Sequence, residues 1–210
     1  MCRVYWSEPL GVKERRTRER ESLRQEILDA ARELFIEEGY ESVSMRRIAE
    51  KIEYSPTTIY LYFQDKAELL NNICAETFEK LAVRLERSRA RFRDPLERMR
   101  EGLREYVEFG LQNPQHYRVT FMVSHPQASD QYNEAQAAGF RAYEHLRQSV
   151  VECIRAGKFH NVDVDTASQS LWAGVHGVTS LLIANKKFPF VERNKLVNMV
   201  VETLMKGLEA

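Results

Sequence analysis

The densest chemistry in the chain is the run Ser55-Pro56-Thr57-Thr58-Ile59-Tyr60-Leu61-Tyr62-Phe63, with Lys66 close behind it. Its hydroxyls, phenols and single ammonium form neither a nucleophile-base pair nor a metal-ligand set; what they can do is hydrogen-bond. Ser55 followed by Pro56 starts a short helix, because the hydroxyl accepts an amide that the first turn leaves unpaired and proline tolerates the first position. Thr57 and Thr58 then fall in the first turn, where a hydroxyl and a methyl suit base edges, thymine methyls included. Tyr60 and Tyr62 offer phenolic donors and Lys66 a charge to phosphate oxygens, contacts that position a duplex without reading it. Ser44 brings a hydroxyl and an amide end to the backbone on the other side, with Arg46 and Arg47 as further candidates. Ile59 and Phe63 continue an apolar face and belong to a core.

Other chemistries leave no signature. The chain has no GxSxG, no phosphate-cradling glycine loop, no HExxH and no Glu-x-x-His pair. No catalytic residue, enzyme activity or cofactor is therefore expected. His116, His125 and His145 fall at spacings that match no compact ligand motif, and Cys2, Cys74 and Cys153 are odd in number without a CxxC. Neither a metal site nor a disulfide framework is expected. The 31 basic and 31 acidic residues cancel, so affinity for nucleic acid has to come from local charge. Lys13, Arg15, Arg16, Arg18, Arg20 and Arg24 supply it near the start. A second basic run, Arg84, Arg87, Arg89, Arg91 and Arg93, reads as a solvated helix face.

The elements that must position these groups are all helical. Leu23, Ile27, Ala30, Ala31, Leu34 and Phe35 share one face of a helix from Arg18 that ends at Gly39. Ser44 caps a short helix with Met45, Ile48, Ala49 and Ile52 inward, and Pro56 to about Tyr62 is a third. Asp65 and Glu68 form a capping box before a long helix to about Arg89. Asp94-Pro95 and Asn113-Pro114 open two more, to about Leu111 and Val123. Pro126, Ser129 and Asp130 mark a loop before a helix that Gly157 ends; Asp163 caps the next, to about Lys186, and the last runs from about Val191 to Leu208. An all-α chain of about nine helices follows, with three short helices in helix-turn-helix order near the start.

Ile48-Ala49, Ser55, Tyr60, Tyr62-Phe63, Lys66 and Leu69 resemble the recurring residues of the DNA-binding domain of the TetR family, over Glu21 to about Leu81. One position departs: the turn has Glu53 where the family usually has glycine, so the backbone there must avoid a positive φ or tolerate it. The resemblance implies a flexible basic arm over residues 1–17, a DNA-binding domain over 18–81 with its helix-turn-helix at 44–63, and a ligand-binding and dimerisation domain over 82–210. It also implies a regulator, most often a repressor, on a palindromic double-stranded operator. Leu171-Trp172-Ala173-Gly174-Val175-His176-Gly177 resembles the Trp-x-x-x-His-Gly element of one C-terminal subtype, whose small residues allow a close helix approach.

In the second domain Tyr106, Phe109, Tyr117, Phe121, Phe140 and Tyr143, with Trp172 and His176, are candidates to line a partly apolar site for a small-molecule effector. Met122 and Tyr132 share those faces. Aromatics at helical spacing also build cores, and His176 reads as a hydrogen-bonded structural histidine. The wide apolar stripe of the last helix, with Leu182 and Ile183 before it, fits a homodimer through the last two helices. No signal peptide or membrane-spanning run is present, so no membrane partner and a cytoplasmic location are expected. A helical interaction protein without DNA binding would share the neutral charge and the dimer face, but leaves Ser55 to Lys66 without a use.

Overall fold

The computed structural model describes residues 11–123 and 133–210. Among them are nine helices: α1 (Val12–Glu37), α2 (Met45–Lys51), α3 (Pro56–Tyr60), α4 (Lys66–Arg89), α5 (Pro95–Gln112), α6 (Pro114–Phe121), α7 (Glu134–Arg155), α8 (Val164–Ala184) and α9 (Arg193–Lys206). The only β pairing in the described residues is one isolated bridge, Phe159 to Glu209. Cys2, His125, Tyr132 and the loop expected at Pro126 to Asp130 lie outside the described residues.

Five of the expected helix starts are capped by a side chain, whereas Asn113 turns its amide to Phe109 O and caps nothing. Ser44, Ser55, Asp65, Asp94 and Asp163 each accept a backbone N–H from the first turn of the helix that follows. Gly39 closes the first helix and Gly157 follows the seventh, both with positive φ, which glycine adopts without strain. One boundary differs. α1 starts at Val12, not Arg18, so the basic stretch expected as a flexible arm is helical from Val12 onward. Nothing apolar drives that extension, whose residues are all exposed; its formation rests on local propensity and on Arg15–Glu19 pairing one turn apart.

Two hydrophobic cores result. The first packs Ile27, Leu34 and Phe35 of α1 on Ile48, Ile59 and Phe63, with Leu69 and Ile73 from the start of α4. The second is built from α5, α6, α7, α8 and α9, around Met99, Leu103, Tyr117, Leu171, Val175 and Val201. α4 runs through both, since its later residue Leu81 belongs to the second. α6 also reaches across, because Val119 is buried in the first core.

Glycines set two helix approaches. A Cβ on Gly110 of α5 would collide with Thr179 of α8, and one on Gly174 of α8 would lie 2.5 Å from Leu204 Cδ1 of α9. The close approach expected of the Gly174 segment is therefore to α9. Gly177 meets nothing within 4 Å, and it shares its side of α8 with Leu181, which is 52% exposed.

Candidate nucleic-acid interface and internal cavity

The helix-turn-helix is assembled from its caps outward. Ser44 Oγ accepts from Arg47 N at 3.2 Å and Ser55 Oγ from Thr58 N at 3.2 Å. Ile59, with no exposed surface, pins α3 to the first core. That leaves Thr57 and Tyr60, three apart and so on one helix face, turned outward, with Tyr60 55% exposed. Ser55 and Pro56 are exposed at the start of the same helix. Thr58 is partly buried and its hydroxyl is 2.9 Å from Ser55 Oγ, so it completes the cap. Tyr62 is half-buried, with the Arg20 guanidinium 5.8 Å from its ring centroid.

The turn between α2 and α3 takes the second of the two courses open to Glu53: its φ is +60°, in the left-handed region. Tyr54 N donates to Ala49 O at 3.0 Å and closes α2 there. The backbone thus keeps the geometry that glycine would give and accepts the Cβ strain.

The basic candidates are all engaged. Arg46 pairs with Glu50 at 3.0 Å, and Arg47 pairs with Glu38 at 2.8 Å, a contact that raises its pKa. Lys66 Nζ donates to Tyr40 O at 2.6 Å and lies 4.2 Å from the Tyr40 ring centroid. It ties the loop between α1 and α2 to the start of α4, a structural duty that its sequence position did not reveal.

A cavity of about 350 Å³, partly open to solvent, lies between α4, α5, α6, α7 and α8. α4 and α7 run parallel beside it: Asn71 Nδ2 donates to Glu134 at 2.5 Å at one end, and Arg89 bonds Ser149 Oγ at 3.3 Å at the other. Gly139 and Ser149 both line it; ten residues of helix make it about 15 Å long. The wall is apolar for most of that length, with Phe78, Leu81 and Leu85 facing Met99, Leu103 and Leu146.

Four of the expected aromatics line it: Tyr106, Phe121, Tyr143 and Trp172. Two others stand behind them in a hydrogen-bonded chain. Trp172 Nε1 donates to Tyr106 Oη at 3.1 Å, Tyr106 Oη is 3.1 Å from Tyr117 Oη, and Tyr117 Oη is 2.6 Å from His176 Nδ1. His176 Nε2 ends the chain 3.3 Å from Ser180 Oγ. One orientation satisfies every member: each phenol donates onward, Nδ1 accepts and Nε2–H donates to Ser180. Burial lowers the His176 pKa and raises those of Tyr106 and Tyr117, which keeps the chain uncharged. Both His176 ring nitrogens thus have partners within this chain.

Phe109 and Phe140 are placed elsewhere. Phe109 is buried on the far side of α5, under a shallow groove with Val83 and Arg87, and Phe140 is 65% exposed because Gly139, one residue before, takes the inward position on α7 against Phe78. Met122 is likewise exposed. The basic run after Arg84 also differs from a solvated face. Arg84 turns to Glu105 and Arg89 to Glu152, and Arg89, Arg98, His145 and Ser149 form the polar end of the cavity. Their sequence signal was the 3.6-residue spacing of Arg89 with Leu81 and Leu85, masked by the exposed arginines around it.

Among the described residues no group of three or more His, Cys, Asp or Glu is arranged to hold a metal, and no helix is long and apolar enough to cross a membrane.

Comparison with known proteins agrees with both halves. Residues 27–73 match the family described as bacterial regulatory proteins, tetR family, and residues 99–204 match the tetracyclin repressor-like C-terminal domain. The second match does not single out the Trp-x-x-x-His-Gly subtype. The transcriptional repressor KstR of Rhodococcus jostii (strain RHA1) is 41% identical over 76 residues, 36% of this chain and 35% of that protein. The transcriptional activator FasR of Mycolicibacterium smegmatis is 29% identical over 142 residues, 65% of each. The chain thus aligns with about a third of the first relative and under two thirds of the second. In structure, the regulator FadR from Bacillus subtilis, solved in complex with stearoyl-CoA, superposes with a TM-score of 0.75 at 22% identity, covering 88% of this chain and 98% of that one. The chain belongs to the TetR family of bacterial regulatory proteins.

Proposed function

We propose that the protein is a cytoplasmic repressor that binds a palindromic operator as a homodimer and leaves it when a small, largely apolar molecule enters the cavity. The observation that carries this reading is the double membership of α4. Leu69, Ile73 and Cys74 support the core under α3, while Phe78, Leu81 and Leu85 wall the cavity. A ligand that prefers one placement of α4 therefore biases the placement of the recognition helix. A preference of roughly 1 to 3 kcal/mol shifts operator affinity about five- to 150-fold. The functional division is then residues 18–81 for DNA and 82–210 for effector and partner.

On this reading α3 lies in the major groove, with Thr57 reading bases and Ser44, Ser55, Tyr60 and Tyr62 meeting phosphates. Arg46 and Arg47 reach phosphates by exchanging their surface glutamate partners, and Lys66 acts by holding the Tyr40 loop. One α3 reads too few bases for specificity; two on a twofold axis read a palindrome. The surface for that pairing is the exposed apolar side of α8 and α9, where Leu181 and Met199 are 52% and 62% exposed and Gly177 admits a close neighbour. Repression is supported by the repressor among the relatives, and an apolar effector by the cavity wall and by the acyl-CoA that FadR holds.

Selection of sites from a random duplex pool tests this, with wild type against a Thr57→Ala, Tyr60→Ala double variant. Enrichment of a palindrome by wild type and its loss in the variant are expected. Failure to enrich any site at low salt would leave the helical-interaction reading in its place.

A further inference from the structure

We infer that the cavity takes an unbranched hydrocarbon ending in an anionic head, a carboxylate or a phosphate, and that the head sits on the Arg98 guanidinium. This rests on the cavity being the effector site, and adds the chemistry and orientation of its occupant.

The shape argues for a chain. The cavity follows α7 for about 15 Å, and its middle is lined from three helices by Leu81, Leu85, Met99, Leu103 and Leu146. Nothing polar in that stretch interrupts a hydrocarbon, so the occupant's polar group belongs at an end.

Only one end is able to hold a charge. At the far end, the Tyr106 hydroxyl and the Trp172 indole N–H are committed to each other and to the chain that continues through Tyr117 and His176. Tyr143, whose ring lies 6.3 Å from that of Trp172, has its Oη buried without a partner, but a single hydroxyl offers no charge to an anion. At the near end, Arg89 and Arg98 share one carboxylate: Glu152 Oε1 accepts from Arg89 and Oε2 lies 3.0 Å from Arg98 Nη2. Asp94, the other carboxylate there, caps α5 by accepting from Glu97 N at 3.2 Å. Arg98 Nε, on a residue of the cavity wall, is buried and has no acceptor.

A buried guanidinium N–H without an acceptor is costly, and an anionic oxygen relieves it through a charge-assisted bond about twice as strong as a neutral one. Carboxylate and phosphate match the planar fork of arginine better than an alcohol does. His145 stands beside the same position and its ring can donate to a second head oxygen, whereas Ser149 Oγ already donates to His145 O at 2.9 Å. The hydrocarbon then runs toward Phe78 and Phe121.

Calorimetric titration of the full chain with dodecanoate, dodecyl phosphate and dodecanol tests this, in wild type, Arg98→Leu and Arg98→Lys. In wild type at least one anion should bind roughly tenfold or more tighter than the alcohol. Arg98→Leu should erase most of that margin, and Arg98→Lys, which keeps a charge for Glu152 but lacks Nε–H, should erase part of it. Dodecanol affinity should stay within about twofold in both, which separates loss of the head contact from misfolding. If Arg98→Leu fails to fold, the lysine variant decides. Whichever anion binds tighter identifies the head. An alcohol that binds as tightly as both anions, or an anion margin unchanged in the Arg98 variants, overturns the inference while leaving the effector cavity in place. Binding of none of the three overturns both.

Discussion

Val119 and Phe121, two residues apart on α6, belong to different interiors: Val119 is fully buried in the core beneath the helix-turn-helix, and Phe121 lines the cavity. α6 is therefore a second link, beside α4, between the cavity and the core that supports α3. The link is braced by polar contacts, since His116 Nδ1 of α6 is 3.2 Å from Thr77 Oγ1 of α4, and Arg32 of α1 lies 3.7 Å from Glu76. Val119→Ala should cost roughly 2 kcal/mol in a urea melt, the usual scale for an emptied core position. Phe121→Ala should leave unliganded operator affinity near wild type but shrink the effector's influence on it, as read by fluorescence anisotropy. An unchanged effector response would restrict the coupling to α4.

The strained turn gives a substitution that should stabilise. Glu53 holds a φ of +60°, where a Cβ costs roughly 1 to 2 kcal/mol and glycine's extra unfolded-state entropy returns about 0.5 to 1. Glu53→Gly should thus raise stability by about 0.5 to 1 kcal/mol in chemical denaturation. Operator affinity should hold or improve. A destabilised glycine variant would mean that the Glu53 side chain contributes more than its backbone costs.

Tyr60 and Lys66, adjacent in motif, should separate in experiment. Tyr60→Ala removes an exposed ring, so its thermal midpoint should match wild type while its operator affinity falls by about 1 kcal/mol, the loss of one phosphate hydrogen bond. Lys66→Ala frees the Tyr40 and Glu41 carbonyls that Nζ now holds and should lower the thermal midpoint as well. Equal stability of the two variants would show that Lys66 has no structural duty.

His116 should make the fold acid-sensitive. Burial first, then Arg32 and Lys80, lowers its pKa from 6.5 to about 4, against Glu76 and Asp29, which raise it. A histidine pKa lowered by folding means that the unfolded chain takes up the proton first. Stability is then complete above about pH 6.5 and declines as the pH falls toward 4, with a slope of at most about one proton for this group. His116→Gln should flatten that part of a stability-against-pH series measured by denaturant melts. An unaltered slope would place the titration elsewhere.

The outward face of the last two helices should decide assembly. Leu181→Glu puts a charge on the exposed apolar side of α8 without touching the second core. It should shift the protein toward monomer in light scattering and weaken operator binding in proportion. A dimer that persists unchanged would move the interface away from this face.

What the sequence determined by itself was local. Caps at Ser44, Ser55, Asp65, Asp94 and Asp163, glycine stops at 39 and 157, and apolar periodicity act within a turn or two, so the helices of the described residues and the helix-turn-helix order could be read from them. Thr57 and Tyr60 were legible as outward groups because Ile59 beside them had to be inward. The tertiary structure decided what depends on partners distant in the chain. Lys66 reaches Tyr40, Arg98 meets Glu152, and Phe140 turns out because Gly139 takes the inward place against Phe78. A lysine or arginine has the same local signature whether its charge meets water or a carboxylate on another helix. The orphaned Arg98 Nε, and with it the polar end of the cavity, appears only once α4, α5 and α7 are packed.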